Sequence, residues 1–84
     1  MQITPQILDN AANLYPQGVL EFESGICNLC KKSKEVNAFF IRATPNLHNS
    51  IIISCCNNCN PKDLYTGNEY IKLDEKDLFY LRCR

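Results

Sequence analysis

The chain has 84 residues, a formal net charge of zero and a mass of 9.6 kDa, which allow one small domain and exclude a large enzyme with a deep cleft. Hydrophobic residues make up 45% and charged residues 21% of the sequence, so disordered, collagen-like and coiled-coil proteins are also excluded. A chain this short buries only about 60% of its unfolded surface, and such domains usually need a metal or disulfides to stabilise them.

The first predicted element is an amphipathic helix. Thr4 is a favourable N-cap, and Pro5 occupies the first helical position, where its missing N–H costs nothing. Apolar residues recur at helical spacing, at positions 7, 8, 11, 12, 14 and 15, until Pro16 and Gly18 end the pattern. This apolar stripe either packs on the rest of the domain or docks a partner.

Short β-prone runs follow the helix. Residues 19–22 are predicted to form a short strand, and residues 36–43 a longer one. In the longer run, Val36, Ala38 and Phe40 lie on one face and Phe39 and Ile41 on the other. The β-branched residues 51–53 should pair with it in an antiparallel hairpin over residues 36–54.

The remainder of the chain is predicted with open alternatives. Residues 60–65 are consistent with one or two helical turns that end at Gly67. Residues 70–73 and 78–81 are both β-prone. They form either a hairpin of two C-terminal strands or a strand followed by a helix that Asp74 caps.

Six cysteines are the outlier in this composition. Two C-x-x-C pairs, at 27–30 and 56–59, flank the predicted hairpin, and such turns aim two sulfurs at one centre. Because Zn²⁺ binds four thiolates in a tetrahedron at about 2.3 Å, we predict one structural zinc ion. Its predicted ligands are Cys27, Cys30, Cys56 and Cys59.

The remaining cysteines and the one histidine have less specific predictions. Cys56 is preferred to Cys55 as a ligand because it keeps the two-residue gap to Cys59. Cys55 is then a buried or spare thiol, and Cys83 a free thiol, unless either replaces a ligand. His48 is predicted to be solvated in a loop, and its alternative role is that of a metal ligand or general base.

Other cysteine chemistries are less favoured. Disulfides require an oxidising compartment, and residues 1–9 lack the regions of a secretory signal. A redox C-x-x-C requires a βαβ setting, and iron–sulfur clusters usually use other spacings. No apolar run approaches the roughly 18 residues of a transmembrane helix. We therefore expect an intracellular protein, cytoplasmic or nuclear.

The zero net charge hides a local asymmetry. Residues 27–62 carry a net charge of +4, whereas residues 1–26 and 63–84 carry −3 and −1. This excess either balances the two negative charges of a four-thiolate zinc centre or binds an anion such as a nucleic-acid backbone. The candidate anion contacts are Lys31, Lys32, Lys34, Arg42 and Lys62.

The segment from Cys27 to Val36, followed by the hairpin and by 53–59, resembles a treble-clef zinc finger. It is similar to the N-terminal zinc-binding domain of the ClpX unfoldase, where a C-x-x-C-x-K-S stretch precedes a hairpin and a second C-x-x-C. The resemblance covers residues 26–64. It implies a module that dimerises and docks protein partners.

A second resemblance is to the C-terminal half of an HNH nuclease whose fold a cysteine-bound zinc stabilises. The residues that carry it are Asn49, residues 55–60 and Lys62. These nucleases carry an Asp-His pair at the end of the first strand, where the histidine activates water. Arg42 and Ala43 occupy that place in this sequence. Without a carboxylate and an imidazole there, this resemblance implies a degenerate nuclease scaffold.

The sequence predicts a single α+β domain: a small treble-clef zinc-binding module at 26–64, with an N-terminal helix and strand at 1–25 and C-terminal β-strands at 65–84. No other catalytic motif is present, and a four-cysteine zinc site has no open position for substrate. We expect a non-enzymatic adaptor that binds protein and in which a homodimer can form. The proposed anchors are Leu29, Phe39 or Phe40, and Tyr65.

The alternative function is nucleic-acid binding through the basic residues. The composition, with ten Asn, eight Ile and six Lys against three Arg, is typical of AT-rich coding sequences, as in many viruses and phages. It suggests a small viral or phage-type regulator, or a subunit of a larger machine.

Overall fold

The computed structural model of the chain describes residues 3–33, 35–43, 47–60 and 69–83. Three antiparallel strands form one sheet in the order β2-β1-β3, and helices pack against it. The elements in chain order are α1 (Pro5–Leu14), α2 (Pro16–Glu23), β1 (Val36–Arg42), a 3₁₀ turn (Leu47–Asn49), β2 (Ile51–Cys56), β3 (Glu69–Lys72) and α3 (Glu75–Arg82). The molecule is therefore an α+β domain.

Helix α1 begins and ends where the sequence predicts. The Thr4 hydroxyl accepts a hydrogen bond from the Ile7 backbone N–H, and Pro5 is the first helical residue. The buried side chains of the helix are Leu8, Ala11 and Ala12. Apart from exposed Leu14, the apolar stripe of α1 thus packs on the domain, as the first of the two interpretations predicts.

The predicted strand at 19–22 is wrong, because these residues belong to α2. Pro16 ends α1 and also opens α2, since proline is compatible with a first helical position. Val19 and Phe22 pack against the core from this helix. Their β propensity is overridden by tertiary packing, a common outcome for a short segment.

The predicted hairpin is confirmed, and its second strand is longer than the apolar run alone indicated. Strands β1 and β2 pair from Val36 opposite Cys56 to Ile41 opposite Ile51. Both faces of the sheet carry a hydrophobic cluster, as the alternation in β1 predicts. One cluster contains Ala38, Phe40 and Ile52 together with residues of α1 and α3, and the other contains Ile41, Ile51 and Ile53.

The C-terminal part is one strand and one helix, which confirms the alternative of a strand followed by a helix that Asp74 caps. The C-terminal β-strands of the overall fold prediction are wrong. Strand β3 pairs with β1, from Phe39 opposite Lys72 to Arg42 opposite Glu69. Asp74 then caps α3, because its carboxylate accepts a hydrogen bond from the Asp77 N–H at 3.0 Å. The local N-cap stops the β-prone residues 78–81 from continuing as a strand.

The outer edge of β2 is covered, which positions the cysteine-bearing segment. The Gly18 backbone lies so close to β2 that a Cβ at this position would lie 1.8 Å from the Ile52 carbonyl oxygen. The Asn28 N–H donates to the Ser54 carbonyl at 2.9 Å, next along the same edge. Helix α2 thereby covers the β2 edge by close packing, and Asn28 bonds a backbone group that an edge strand would otherwise present to other chains.

Two further predictions concern the segment after Cys59 and membrane-spanning helices. The short helix predicted after Cys59 lies outside the described residues. Within the described ranges, no helix is long and apolar enough to span a bilayer.

Candidate metal centre

The structure brings the four predicted cysteines together at one end of the hairpin. Their sulfur atoms all lie within 4.8 Å of one another, with 3.5 Å between the Sγ atoms of Cys56 and Cys59 and 3.9 Å between those of Cys30 and Cys56. Four ligands at about 2.3 Å from one tetrahedral centre are about 3.8 Å apart. These separations suit a metal site and are far longer than the about 2.05 Å of a disulfide.

The first pair of ligands lies on a tight turn that closes on itself. Residues Ile26 and Ser33 form an isolated antiparallel bridge, the Lys31 N–H donates to the Cys27 carbonyl, and the Cys27 N–H donates to the Lys32 carbonyl. Lys31 has φ = 62°, a left-handed conformation that favours glycine. The backbone turns back immediately after Cys30, so both sulfurs of this pair face the same point.

The second pair of ligands extends from the end of β2. Cys56 is the last residue of the strand, and the Cys59 N–H donates to the Cys56 carbonyl at 3.2 Å. Because side chains alternate along a strand, Cys55 and Cys56 point to opposite faces. The strand geometry therefore gives a physical reason why Cys56, and not its neighbour, joins the cluster.

Asn28 and Ser54 connect the two pairs, and the sequence reasoning did not identify them. The Ser54 N–H donates to Asn28 Oδ1 at 2.5 Å, and the Ser54 hydroxyl donates to the Ile26 carbonyl at 2.7 Å. The Cys56 N–H donates to the Cys27 sulfur at 3.4 Å. The signal that could have found Asn28 is its residue type, since asparagine side chains often bond nearby backbone groups at turns.

We expect Asn28→Ala to weaken metal binding by about 10- to 100-fold, as is typical when a residue that orients metal ligands is lost. Its side chain fixes the first C-x-x-C turn to β2 and is buried, 6% exposed. Competition with a chelator of known affinity measures the change. Asn57→Ala is the matched control, because Asn57 follows the first cysteine of the second pair as Asn28 follows that of the first. Unlike Asn28, Asn57 is exposed, and within the described residues its side chain bonds that of Asn37 alone. Equal losses in both variants would contradict this role for Asn28.

The sulfur groups have strongly different tendencies to ionise. Burial opposes ionisation of Cys27, but the backbone N–H groups of Cys30, Cys56 and Leu29 bond its sulfur and lower its pKa to about 6. A hydrogen bond that the protonated Cys59 thiol donates to the Cys56 sulfur, together with burial, raises the pKa of Cys59 to about 12. Four sulfurs this close cannot all be negative without a cation between them, so the cluster requires a positive charge to ionise fully.

Cys55 is chemically distinct from the four. It is completely buried, and its thiol lies 3.4 Å from the Cys56 carbonyl and 3.3 Å from the Cys59 carbonyl. Burial and the neighbouring charges of Cys27 and Cys56 raise the pKa of the Cys55 thiol to about 11. The buried thiol that the sequence predicts is thus a neutral hydrogen-bond donor.

The donor set fits a structural metal. Four thiol groups are grouped on two turns, the sulfurs of Cys27 and Cys56 already accept backbone hydrogen bonds, and the Asn28 side chain connects the first turn to β2. Thiolate-rich tetrahedral sites select Zn²⁺ over hard cations such as Mg²⁺ or Ca²⁺. With all four positions taken by protein ligands, a metal here would stabilise the fold.

Two of the predicted anion contacts are engaged in ion pairs. Lys31 Nζ lies 3.2 Å from Glu21 Oε1, and Arg42 Nη1 lies 3.0 Å from Glu69 Oε2. Burial opposes ionisation of Glu21, but hydrogen bonds from Lys31 and Gln17 and the charge of Lys31 keep its pKa below the usual value. Lys32 is exposed. Lys34 and Lys62 lie outside the described residues.

The remaining predicted residues fall in several places. His48 is exposed in the 3₁₀ turn, and Cys83 is an exposed free thiol. Phe40 is fully buried, so it is wrong as a candidate surface anchor, while Leu29 and Phe39 are half-buried. Tyr65 lies outside the described residues. The large apolar side chains that are exposed in the described part of the chain are Leu14, Leu20 and Phe79, none of which the sequence reasoning selected as an anchor.

Comparison of this chain with protein-family models, with curated proteins and with solved structures finds no match. The centre is therefore defined by its own geometry, as a cluster of four cysteines positioned to bind a metal ion.

Proposed function

We propose that the protein is a non-enzymatic adaptor in which one structural Zn²⁺ stabilises a small α+β domain that binds a protein partner. The proposed ligands are Cys27, Cys30, Cys56 and Cys59. The observation that carries the proposal is the grouping of these four sulfurs within 4.8 Å on two turns. A site closed by four thiolates leaves no position for substrate, so its metal acts through folding.

We also propose a treble-clef arrangement for the cysteine-bearing part. A tight C-x-x-C turn, an antiparallel hairpin and a second C-x-x-C at the hairpin's end are three components of such a finger. The hydrophobic core of so short a chain is small, and a bound metal would add to its stability. In zinc-finger peptides, about 10–16 kcal/mol of zinc-binding free energy appears as folding free energy. That amount is comparable with the whole stability of a typical domain.

Two features favour a protein partner over a nucleic acid. Lys31 and Arg42 are each paired with a carboxylate, so their charges are partly neutralised before any anion approaches. Exposed Leu14 and Phe79 offer apolar contacts of the kind that anchor protein interfaces. The paired charges and the exposed apolar side chains support the same class of partner.

Salt dependence tests the class of partner. A nucleic acid held by about four phosphate contacts would lose about two orders of magnitude in affinity between 50 and 200 mM salt. We expect a fluorescent single-stranded or duplex oligonucleotide to show no saturable binding, and a protein captured from nuclease-treated host lysate to stay bound across this range. Tight oligonucleotide binding with a steep salt slope would contradict the proposal. So would metal-dependent nucleic-acid cleavage that His48→Ala abolishes.

The metal itself is tested by replacement with Co²⁺. Four thiolates around Co²⁺ give an intense charge-transfer band and tetrahedral d–d bands, which oxygen ligands do not produce. We expect this spectrum at one equivalent of Co²⁺ and its loss when one equivalent of Zn²⁺ is added, since Zn²⁺ is bound more tightly at thiolate sites. A weak octahedral spectrum would contradict a four-sulfur site.

A further inference from the structure

Helix α3 presents an apolar side chain to solvent between two opposite charges. Phe79 is 68% exposed, more than any other large apolar side chain that the structure describes. Glu75, Phe79 and Arg82 are spaced i, i+4 and i+7, so they share one face of the helix. The same residues and Leu78 line a shallow groove of about 380 Å³. The face thus combines a projecting ring with a groove beside it.

This face is complementary to itself. Glu75 is the first residue of α3 and Arg82 the last, with Phe79 near the middle. If a second copy of the helix lies antiparallel across a two-fold axis near Phe79, Glu75 of each copy faces Arg82 of the other. No described residue forms an ion pair with Glu75 or Arg82 within the chain. As far as the described ranges extend, both charges are thus available to pair across such an interface.

We propose that the protein forms a symmetric homodimer through α3, with Phe79 packed against Phe79 of the second copy and with two Glu75–Arg82 pairs flanking it. The proposal rests on the protein-binding role proposed above and assigns the α3 face to a second copy of this chain. A helix of eight residues is about 12 Å long, which cannot by itself bury the about 1,200–2,000 Å² of a typical stable interface. The dimer is accordingly expected to be weak and dependent on concentration.

Sedimentation velocity from about 10 µM to about 1 mM chain measures the dimer. We expect the dimer fraction of the zinc-loaded protein to rise over this range, and Phe79→Ala to raise the dissociation constant at least about tenfold, as for a central aromatic anchor. Because Phe79 is exposed, its loss should leave the thermal midpoint unchanged. Leu20→Ala is the matched control, since Leu20 is also exposed, at 57%, but lies on α2.

A charge-exchange experiment identifies the geometry. Glu75→Arg alone places two arginines opposite each other at both pairs, and Arg82→Glu alone does the same with two glutamates, so each variant should be monomeric. An equimolar mixture of the two variants should form a heterodimer, because every pair is again opposite in charge. Circular dichroism of each variant checks that α3 is still formed, since both changes oppose the helix dipole.

Three results would overturn the proposal. They are a monomer at about 1 mM, an equal loss of dimer in Leu20→Ala and Phe79→Ala, and no association in the mixed charge variants. Metal content is measured on the same samples. A monomer that holds one zinc per chain would remove the homodimer alone and leave the structural-zinc proposal standing, whereas a folded chain without zinc would remove the latter.

Discussion

Replacement of Cys56 by serine is expected to release the metal and unfold the protein, whereas the same change at its neighbour Cys55 leaves the protein folded and metal-bound. Cys56 contributes one of the four clustered sulfurs, whereas Cys55 Sγ lies outside that cluster and donates to two backbone carbonyls. Losing a ligand removes much of a binding free energy of about 10–16 kcal/mol. Losing the Cys55 thiol exchanges one buried hydrogen-bond donor for another and costs at most about 2 kcal/mol.

The two variants are compared by circular dichroism and by the zinc retained after gel filtration. Cys30→Ser and Cys59→Ser should behave like Cys56→Ser, and Cys83→Ser like the native chain, because Cys83 is exposed and outside the cluster. Zinc loss in Cys55→Ser together with zinc retention in Cys56→Ser would show that the ligands have been assigned to the wrong member of the adjacent pair.

Gly18→Ala is expected to destabilise the protein by about 2–3 kcal/mol, although alanine is the better helix former. In an exposed helix the change would stabilise by about 1 kcal/mol. Here the added Cβ would lie 1.8 Å from the Ile52 carbonyl oxygen and 2.9 Å from its carbon, and a backbone carbonyl in a sheet cannot rotate away as a side chain could. Helix α2 would have to move off β2, so the sign of the effect reverses.

Chemical denaturation of the zinc-loaded protein measures this change. Leu20→Ala is the control within the same helix, because Leu20 is 57% exposed and its truncation should leave stability nearly unchanged or slightly improved. A stabilised Gly18→Ala variant would contradict the close packing of α2 on β2. Such a result would also contradict the position of α2 beside the first C-x-x-C turn, where its residue Glu21 pairs with Lys31.

Where local signals agreed with the tertiary packing, the sequence was sufficient. Thr4 and Pro5 define the start of α1, alternation in 36–43 defines the two faces of β1, and the spacing of two C-x-x-C pairs selects the four sulfurs that cluster. Each of these patterns has one physical cause that acts over a few residues. The same holds for Cys56, since the two-residue gap and strand alternation point to the same member of the pair.

Where the outcome depends on distant partners, the sequence was insufficient. Residues 19–22 have β-prone side chains, but Pro16 opens a helix and Gly18 lets that helix approach β2, a contact 34 positions further along the chain. Whether residues 78–81 form a strand or a helix depended on whether Asp74 would act as a helix N-cap. Asn28 and Ser54 were missed because their bond joins segments 26 residues apart.

The basic residues illustrate a further limit of sequence reasoning. A count of charges assigns +4 to residues 27–62, but two of the charged side chains pair with acids from outside that segment. Glu21 comes from α2 and Glu69 from β3, and neither contact follows from spacing. A local charge excess therefore overstates the field that an approaching anion would meet.

Zinc analysis of the reduced, purified chain, followed by titration with a strong chelator under circular dichroism, is the most direct measurement. If sulfur-bound zinc holds this small domain together, the chain contains one zinc ion, and its helical signal collapses as the ion is withdrawn and returns when Zn²⁺ is added back. A chain that contains no stoichiometric zinc and keeps its helical signal in the chelator would contradict both the metal centre and the function proposed from it.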